Sequence, residues 1–196
     1  IISMGWARFA FFYEFFGLEI KFSVKAQQSD LLGHEYDLEI ECVDNGCGLG
    51  PDQLKAFITK DTSYKDDLNI PGIGNCKGAG RVQFFHHFSM LSLSSVFSDG
   101  DDKYRINLPP EENRKVIEEI DFKVDQFDKG ELGTSVKLSG ILPKIRDSIF
   151  TVSFVQDWFR AEALKQYVLF SALQRFVSLK DSLGDFKIEF ETAIPP

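Results

Sequence analysis

The hydrophobic positions of the chain switch between two periodicities, and the switches mark the predicted elements. Between 6 and 16, apolar residues recur at spacings of three and four, which predicts one face of an amphipathic helix. Alternation at 17–25 and again at 37–43 predicts two strands that pair as a hairpin. A short helix is predicted at 52–58.

The second half of the chain reads mainly as strands between two helices. Helices are predicted at 81–88 and, from the helical spacing of apolar residues, at 152–179. Strands are predicted at 90–97, 103–108, 117–124, 134–139 and 185–191. Because helices and strands are partly segregated, the order predicts an α+β fold, a two-layer α/β sandwich, rather than a doubly wound parallel sheet.

Composition narrows the class of protein. The 196 residues, 43% hydrophobic and 27% charged, are typical of a globular protein, and a net charge of −8 argues against a dedicated nucleic-acid or membrane-surface binder. Three cysteines without a CxxC pair favour a reducing, cytoplasmic location over a disulfide framework or zinc site. No apolar run reaches the roughly 20 residues that cross a membrane. Phe accounts for 20 residues, which predicts either a Phe-rich core or an exposed partner surface.

The segment DNGCG, from Asp44 to Gly48, directly follows a predicted buried strand and is the first candidate site. The carboxylate of Asp44 would lie at the rim of the sheet, where Gly46 and Gly48 let another group approach the backbone. A fixed acceptor in a small pocket suits an exocyclic amino group such as that of adenine. The alternative is a turn that uses Asp and Gly only for their backbone preferences.

A second glycine-rich segment ends the long polar loop predicted at 59–80 and leads into the helix predicted at 81–88. Free amides at a helix N-terminus form an anion site, and Lys77 and Arg81 add charge that could pair with phosphates. The other residues of this candidate site are Gly74, Gly78, Ala79 and Gly80. The spacing is not that of a P-loop. A solvated loop is the alternative.

Gly133-Thr134, at the start of a predicted strand, completes an ordered series of motifs. The strand with DNGCG, the long loop, the glycine-rich run and the GT pair together resemble the GHKL superfamily over roughly residues 9–143. This superfamily includes gyrase B, heat-shock protein ninety, histidine kinases and MutL. The run KGAGR is most similar to bacterial heat-shock-ninety-like ATP-binding proteins. The resemblance implies a Bergerat ATP-binding fold at 1–144, with ATP and Mg²⁺ as cofactors and hydrolysis of ATP to ADP and phosphate.

The resemblance also implies roles for the residues around the base. Asp44 would accept a hydrogen bond from the adenine amino group. Gly46 and Gly48 would shape the adenine pocket. Thr134 would hold a water molecule beside the base.

The resemblance assigns the phosphate end of the site to the loop and the first helix. Residues 59–80 would form the ATP lid, and Glu14 would be the general base that activates water. Backbone amides would meet the phosphates at Gly74, Gly78 and Gly80. In the family an Asn four residues after the Glu binds magnesium, but Leu18 stands there in this chain. Either the protein lacks that ligand or residues are missing between 16 and 17, so the metal ligands are unknown.

The last 52 residues, 145–196, are predicted to begin a transducer-like or linker region. Because the chain starts at Ile1 and stops at Pro196, we expect it to be part of a longer protein. The resemblance implies a nucleotide-driven switch, a homodimer formed through nucleotide-gated contacts, and a protein client or nucleic acid bound by regions outside this chain. The alternatives are a histidine kinase catalytic domain and a non-hydrolysing nucleotide-binding or interaction module.

Overall fold

The computed structural model describes residues 19–28, 36–59, 84–127, 129–183 and 186–194. The strands are β1 (Glu19–Gln28), β2 (Tyr36–Asp44), β3 (Phe88–Asp99), β4 (Asp102–Leu108), β5 (Lys123–Gln126), β6 (Gly133–Ile141) and β7 (Lys187–Ala193). The helices are α1 (Pro51–Ile58), α2 (Pro143–Ser148), α3 (Val152–Trp158) and α4 (Ala161–Leu183). This combination confirms the predicted α+β class.

These strands form one mixed sheet in the order β5-β4-β3-β6-β2-β1-β7. The predicted hairpin is confirmed, because β1 and β2 pair antiparallel with Val24 opposite Ile40. Strand β7 joins the same sheet by pairing in parallel with β1, which the sequence did not predict. A domain boundary after residue 144 stays a prediction, and β7 nevertheless lies in the sheet formed by the earlier strands.

The two faces of the sheet differ sharply because residues alternate along each strand. In β1, Ile20 and Val24 are buried, whereas Lys25, which follows Val24, points to the other face. On that face the Glu39 carboxylate forms ion pairs with the Lys25 ammonium group, at an N–O distance of 3.9 Å, and with that of Lys137, at 2.7 Å. The charged face therefore meets solvent, and the opposite face carries the core.

Phenylalanines build much of that core. Phe150 is fully buried, and its ring lies 6.3 Å from Phe88, 5.8 Å from Phe154 and 5.7 Å from Phe159 between centroids. The Tyr36 hydroxyl donates a hydrogen bond to the Phe150 carbonyl and so links β2 to this cluster. A Phe-rich core thus accounts for part of the Phe excess.

Three predicted elements differ from the observed ones. Within the predicted helix 81–88, residues 84–86 form a single 3-10 turn, and Phe88 already begins β3 opposite Ile141 of β6. Pairing with β6 overrides the local helical spacing there. The predicted strand 117–124 is replaced by a 3-10 turn at Glu119–Asp121 followed by the short β5.

The long helix predicted at 152–179 is interrupted between α3 and α4. Phe159 lies in the break and is 4% exposed, because its ring packs edge-on against Phe150. This buried ring belongs to the residue that caps the C-terminus of α3. Apolar residues keep their helical spacing across residue 159, so the pattern contained no sign of the break.

Candidate functional site

Three polar side chains lie side by side on the buried face, at the point where β2 ends. Asp44 of β2 is directly opposite Thr134 of β6, and Thr134 is directly opposite Ser95 of β3. Residues opposite each other in neighbouring strands point to the same face of the sheet. Asp44, Thr134 and Ser95 therefore form one continuous polar row.

The next two rows on the same face are apolar. They consist of Cys42, Val136 and Leu93, then Ile40, Leu138 and Leu91. Ser95 is 1% exposed and Thr134 is 4% exposed, so these two hydroxyls are as deeply buried as their apolar neighbours, whereas Asp44 at the end of the row is half-buried. Burial of polar groups is unfavourable unless they are hydrogen-bonded, so the row must be internally paired or paired with a ligand.

The Asp44 carboxylate is held in place by the turn that follows it. The Gly46 N–H donates to Asp44 Oδ1 at 2.9 Å. Burial raises the pKa of Asp44 to about 6, and hydrogen bonds from the backbone N–H groups of Gly46 and Thr134 partly offset that rise. The group is therefore ionised at neutral pH. A carboxylate has about four acceptor positions, so capacity remains for a donor on a ligand.

Ser95 connects the other members of the site. Its hydroxyl lies 2.9 Å from the Thr134 hydroxyl, donates to the Gly133 carbonyl at 3.1 Å and accepts from the Leu49 N–H at 2.8 Å. Leu49 belongs to the glycine-rich turn after β2. One side chain thus joins that turn to β6.

Two glycines permit the close approach of these elements. Gly48 has φ +79°, and a Cβ there would lie 2.1 Å from the Val96 carbonyl oxygen of β3. Gly133 has φ +145°, and its Cβ would lie 2.1 Å from the Asp44 carbonyl oxygen. Both backbone conformations disfavour other residues, and neither site has room for a side chain. Glycine at these positions is required by packing around the polar row.

Asn45 anchors the turn on its other side. Its Oδ1 accepts from the Glu19 N–H at 2.6 Å, and its own N–H donates to the Glu19 carbonyl at 3.2 Å. These bonds connect the turn to the first described residue of β1. The middle residue of the DNG motif thus has a structural role here.

The predicted site residues fall into two groups. The first group lies together at the C-terminal end of β2 and consists of Asp44, Gly46, Gly48 and Thr134. The other predicted residues lie outside the described part of the chain: Glu14, Gly74, Lys77, Gly78, Ala79, Gly80 and Arg81. Their roles stay predictions.

Sequence reasoning missed Ser95, although a signal was present. The run MLSLSSVF alternates, so Ser95 shares a face with the apolar Leu91, Leu93 and Phe97. A polar residue at an inward position of a strand indicates a polar partner inside the fold. Only the pairing of β3 with β6 identifies that partner as Thr134.

Magnesium ligands are not identified among the described residues. Among them, no group of three or more His, Cys, Asp or Glu side chains is arranged to hold a metal ion. The Asp44 carboxylate accepts hydrogen bonds from the backbone amides of Gly46 and Thr134. Within the same part of the chain, no helix is long and apolar enough to cross a membrane.

Solved structures similar to this chain include the ATPase region of Saccharomyces cerevisiae topoisomerase II, at 15% identity and a TM-score of 0.45, over 88% of this chain and 42% of that one. The same region bound to ICRF-187 (dexrazoxane) matches at 14% identity and a TM-score of 0.45, over 91% and 42%. No family model matches the chain, and no curated protein matches it significantly. The chain spans less than half of these structures, and similarity this weak assigns neither family nor function.

Proposed function

We propose that this chain is an ATP-binding module of the GHKL type. The observation that carries the proposal is the polar row, in which the half-buried carboxylate of Asp44 lies beside two fully buried hydroxyls on an otherwise apolar face. Asp44 accepts two backbone N–H groups and keeps acceptor positions for a ligand. A flat apolar ring with an exocyclic amino group, such as adenine, suits these surroundings.

The turn alternative explains less of the geometry. A turn that needed Asp only for its backbone preference would be served by an exposed side chain, without the unfavourable burial that raises the pKa of Asp44 to about 6. Nor would it require Ser95 and Thr134 to be buried at the same level of the sheet. A site that binds a donor group accounts for all three positions.

The remaining parts of the proposal are those that the resemblance of the sequence to the GHKL superfamily implies. Glu14 would activate water for hydrolysis of ATP with magnesium. The loop at 59–80 would close over the phosphates, whose charge Lys77 and Arg81 would neutralise. The nucleotide would drive a conformational switch, with dimerisation and a client bound elsewhere in a longer protein. Similarity to the heat-shock-ninety-like branch rests on KGAGR and belongs to this proposal.

Titration calorimetry with ATP tests whether Asp44 binds the adenine base. We expect the wild type to bind ATP and Asp44→Asn to lose about 100-fold in affinity, because a hydrogen bond to a charged acceptor is replaced by contact with an amide. Glu41→Gln is the matched control, since Glu41 lies on the outer face and accepts from the Ser135 hydroxyl at 2.8 Å. Unchanged ATP affinity in Asp44→Asn would refute the assignment of Asp44 as the acceptor for the adenine amino group.

Phosphate release separates the enzyme from a non-hydrolysing module. We expect Glu14→Ala to bind ATP with wild-type affinity and to lose turnover, because the general base is not needed for binding. A wild type that binds ATP without releasing phosphate would support the non-hydrolysing alternative. Turnover that persists in Glu14→Ala would remove Glu14 from the catalytic role.

A further inference from the structure

The Ser95 hydroxyl lies where three backbone segments meet, and its hydrogen bonds can be counted. Its three partners among the described residues are the Leu49 N–H at 2.8 Å, the Gly133 carbonyl at 3.1 Å and the Thr134 hydroxyl at 2.9 Å. A serine hydroxyl has one proton to donate and two lone pairs that accept. Three contacts therefore use its full capacity.

Only one assignment of protons satisfies all three contacts. The Leu49 amide can only donate, so it occupies one lone pair of Ser95. The Gly133 carbonyl can only accept, so it takes the Ser95 proton. The remaining lone pair can pair only with a donor, so the Thr134 hydroxyl donates to Ser95. Any other assignment leaves a buried polar contact unmade, which is unfavourable.

This assignment determines what Thr134 offers to a ligand. Its single proton is used inside the row, so only its lone pairs remain. Asp44, directly opposite in the β2–β6 pairing, is likewise an acceptor when ionised. At the C-terminal end of β2, the side chains of Asp44 and Thr134 thus offer a ligand acceptors and no donor.

We propose that Ser95 is a positioning residue that sets base selectivity by holding the proton of Thr134. The inference rests on the proposed nucleotide function and extends it to the choice of base. Adenine carries a 6-amino group, which donates to an acceptor. Hypoxanthine carries a 6-oxo group, which is an acceptor and meets only other acceptors in this row; its N1–H can still donate to Asp44, so the mismatch is confined to the 6-position. At the 6-position the row therefore favours an amino group over an oxo group.

Affinities for ATP and for ITP, the triphosphate that carries hypoxanthine in place of adenine, test this proposal. They are measured by calorimetry in the wild type, Ser95→Ala and Ser95→Thr. Removal of the Ser95 hydroxyl frees the Thr134 proton, which can then donate to the 6-oxo group of ITP. We expect the preference for ATP over ITP to shrink by about three- to tenfold in Ser95→Ala, the worth of one neutral hydrogen bond. Ser95→Thr keeps a hydroxyl and should restore the wild-type ratio.

The ratio separates positioning from general damage. Equal losses of ATP and ITP affinity in Ser95→Ala, with an unchanged ratio, would overturn the proposal while leaving ATP binding intact. Binding of neither nucleotide by the wild type would refute the proposed function and this inference with it. If Ser95→Ala does not fold, Ser95→Cys keeps the size and weakens the hydrogen bonds, and the ratio should shift in the same direction.

Amide exchange checks the network without any nucleotide. The Leu49 N–H should exchange slowly in the wild type and faster in Ser95→Ala, because its acceptor is removed. Equal exchange of this amide in both proteins would contradict the Leu49–Ser95 hydrogen bond, which is the first step of the proton assignment. The neighbouring strand amides of β6 serve as an internal reference for global stability.

Discussion

The buried face of the central strands β2, β6 and β3 has two ends that differ in chemistry. At one end lies the row of Asp44, Thr134 and Ser95. Two rows further along the same strands lie Ile40, Leu138 and Leu91, all apolar and almost inaccessible. Backbone pairing and side-chain direction are the same at both ends, so the fold itself does not require the polar end.

The two ends therefore contain different kinds of residue: those at the apolar end stabilise the fold, and those at the polar end are suited to bind a ligand. The apolar end stabilises the sheet by removing side chains from water. The polar end places an ionised carboxylate where burial is unfavourable, as the raised pKa of Asp44 records. A polar group in such a position is expected where a ligand supplies the missing partner.

The strongest test of the apolar end is Leu138→Ala. Leu138 is 1% exposed, and its truncation should lower the free energy of unfolding by about 2–5 kcal/mol. Below the unfolding transition, ATP affinity should be unchanged, because Leu138 lies two rows from the predicted base site. Urea denaturation and calorimetry measure the two quantities. Loss of ATP affinity without loss of stability would show that the two ends are not separate.

Gly133→Ala tests whether close packing forms the polar end. Its φ of +145° and the 2.1 Å approach of a Cβ to the Asp44 carbonyl predict a loss of about 2–4 kcal/mol in unfolding free energy. Gly100→Ala is the matched control, since Gly100 also has a positive φ, +62°, but no atom within 4 Å of its Cβ. Equal destabilisation of the two variants would contradict the packing argument.

The pH dependence of stability isolates the carboxylate. Because the folded-state pKa of Asp44 is raised to about 6, the folded protein holds a proton that the unfolded chain releases at lower pH. Relative to Asp44→Asn, wild-type stability should therefore fall by about 2 kcal/mol as pH rises from 4 to 7. ATP affinity should rise over the same range, because the ionised form is the acceptor. Parallel changes in both quantities would contradict this assignment.

The outer face should show the smallest effect. Lys137 is adjacent to Leu138 on β6 but points outward, where it forms a half-exposed ion pair with Glu39 at 2.7 Å. Lys137→Ala should change the unfolding free energy by less than about 1 kcal/mol. Urea denaturation at low and high salt measures this difference. A loss as large as that of Leu138→Ala would invalidate the division between the two faces.

Local pattern predicted the fold where side-chain alternation was decisive. Strands β1, β2, β3, β4 and β6 follow it, and the folded sheet brings Asp44, Gly48 and Thr134 together in one region. The parallel pairing of β7 with β1 brings together residues such as Phe22 and Phe190 from opposite ends of the chain. No local pattern encodes that partner. Ser95 was missed for the same reason, because its role depends on strands that meet only in the folded sheet.

The most direct measurement combines ATP affinity and unfolding free energy for Asp44→Asn in the same preparation at pH 7.5. The asparagine oxygen can still accept from the Gly46 N–H, and the unfavourable buried charge is removed. We predict an unfolding free energy equal to or above that of the wild type, together with loss of ATP binding. Retained ATP affinity, or loss of binding only in proportion to loss of stability, would contradict the claim that the polar row exists to bind a ligand.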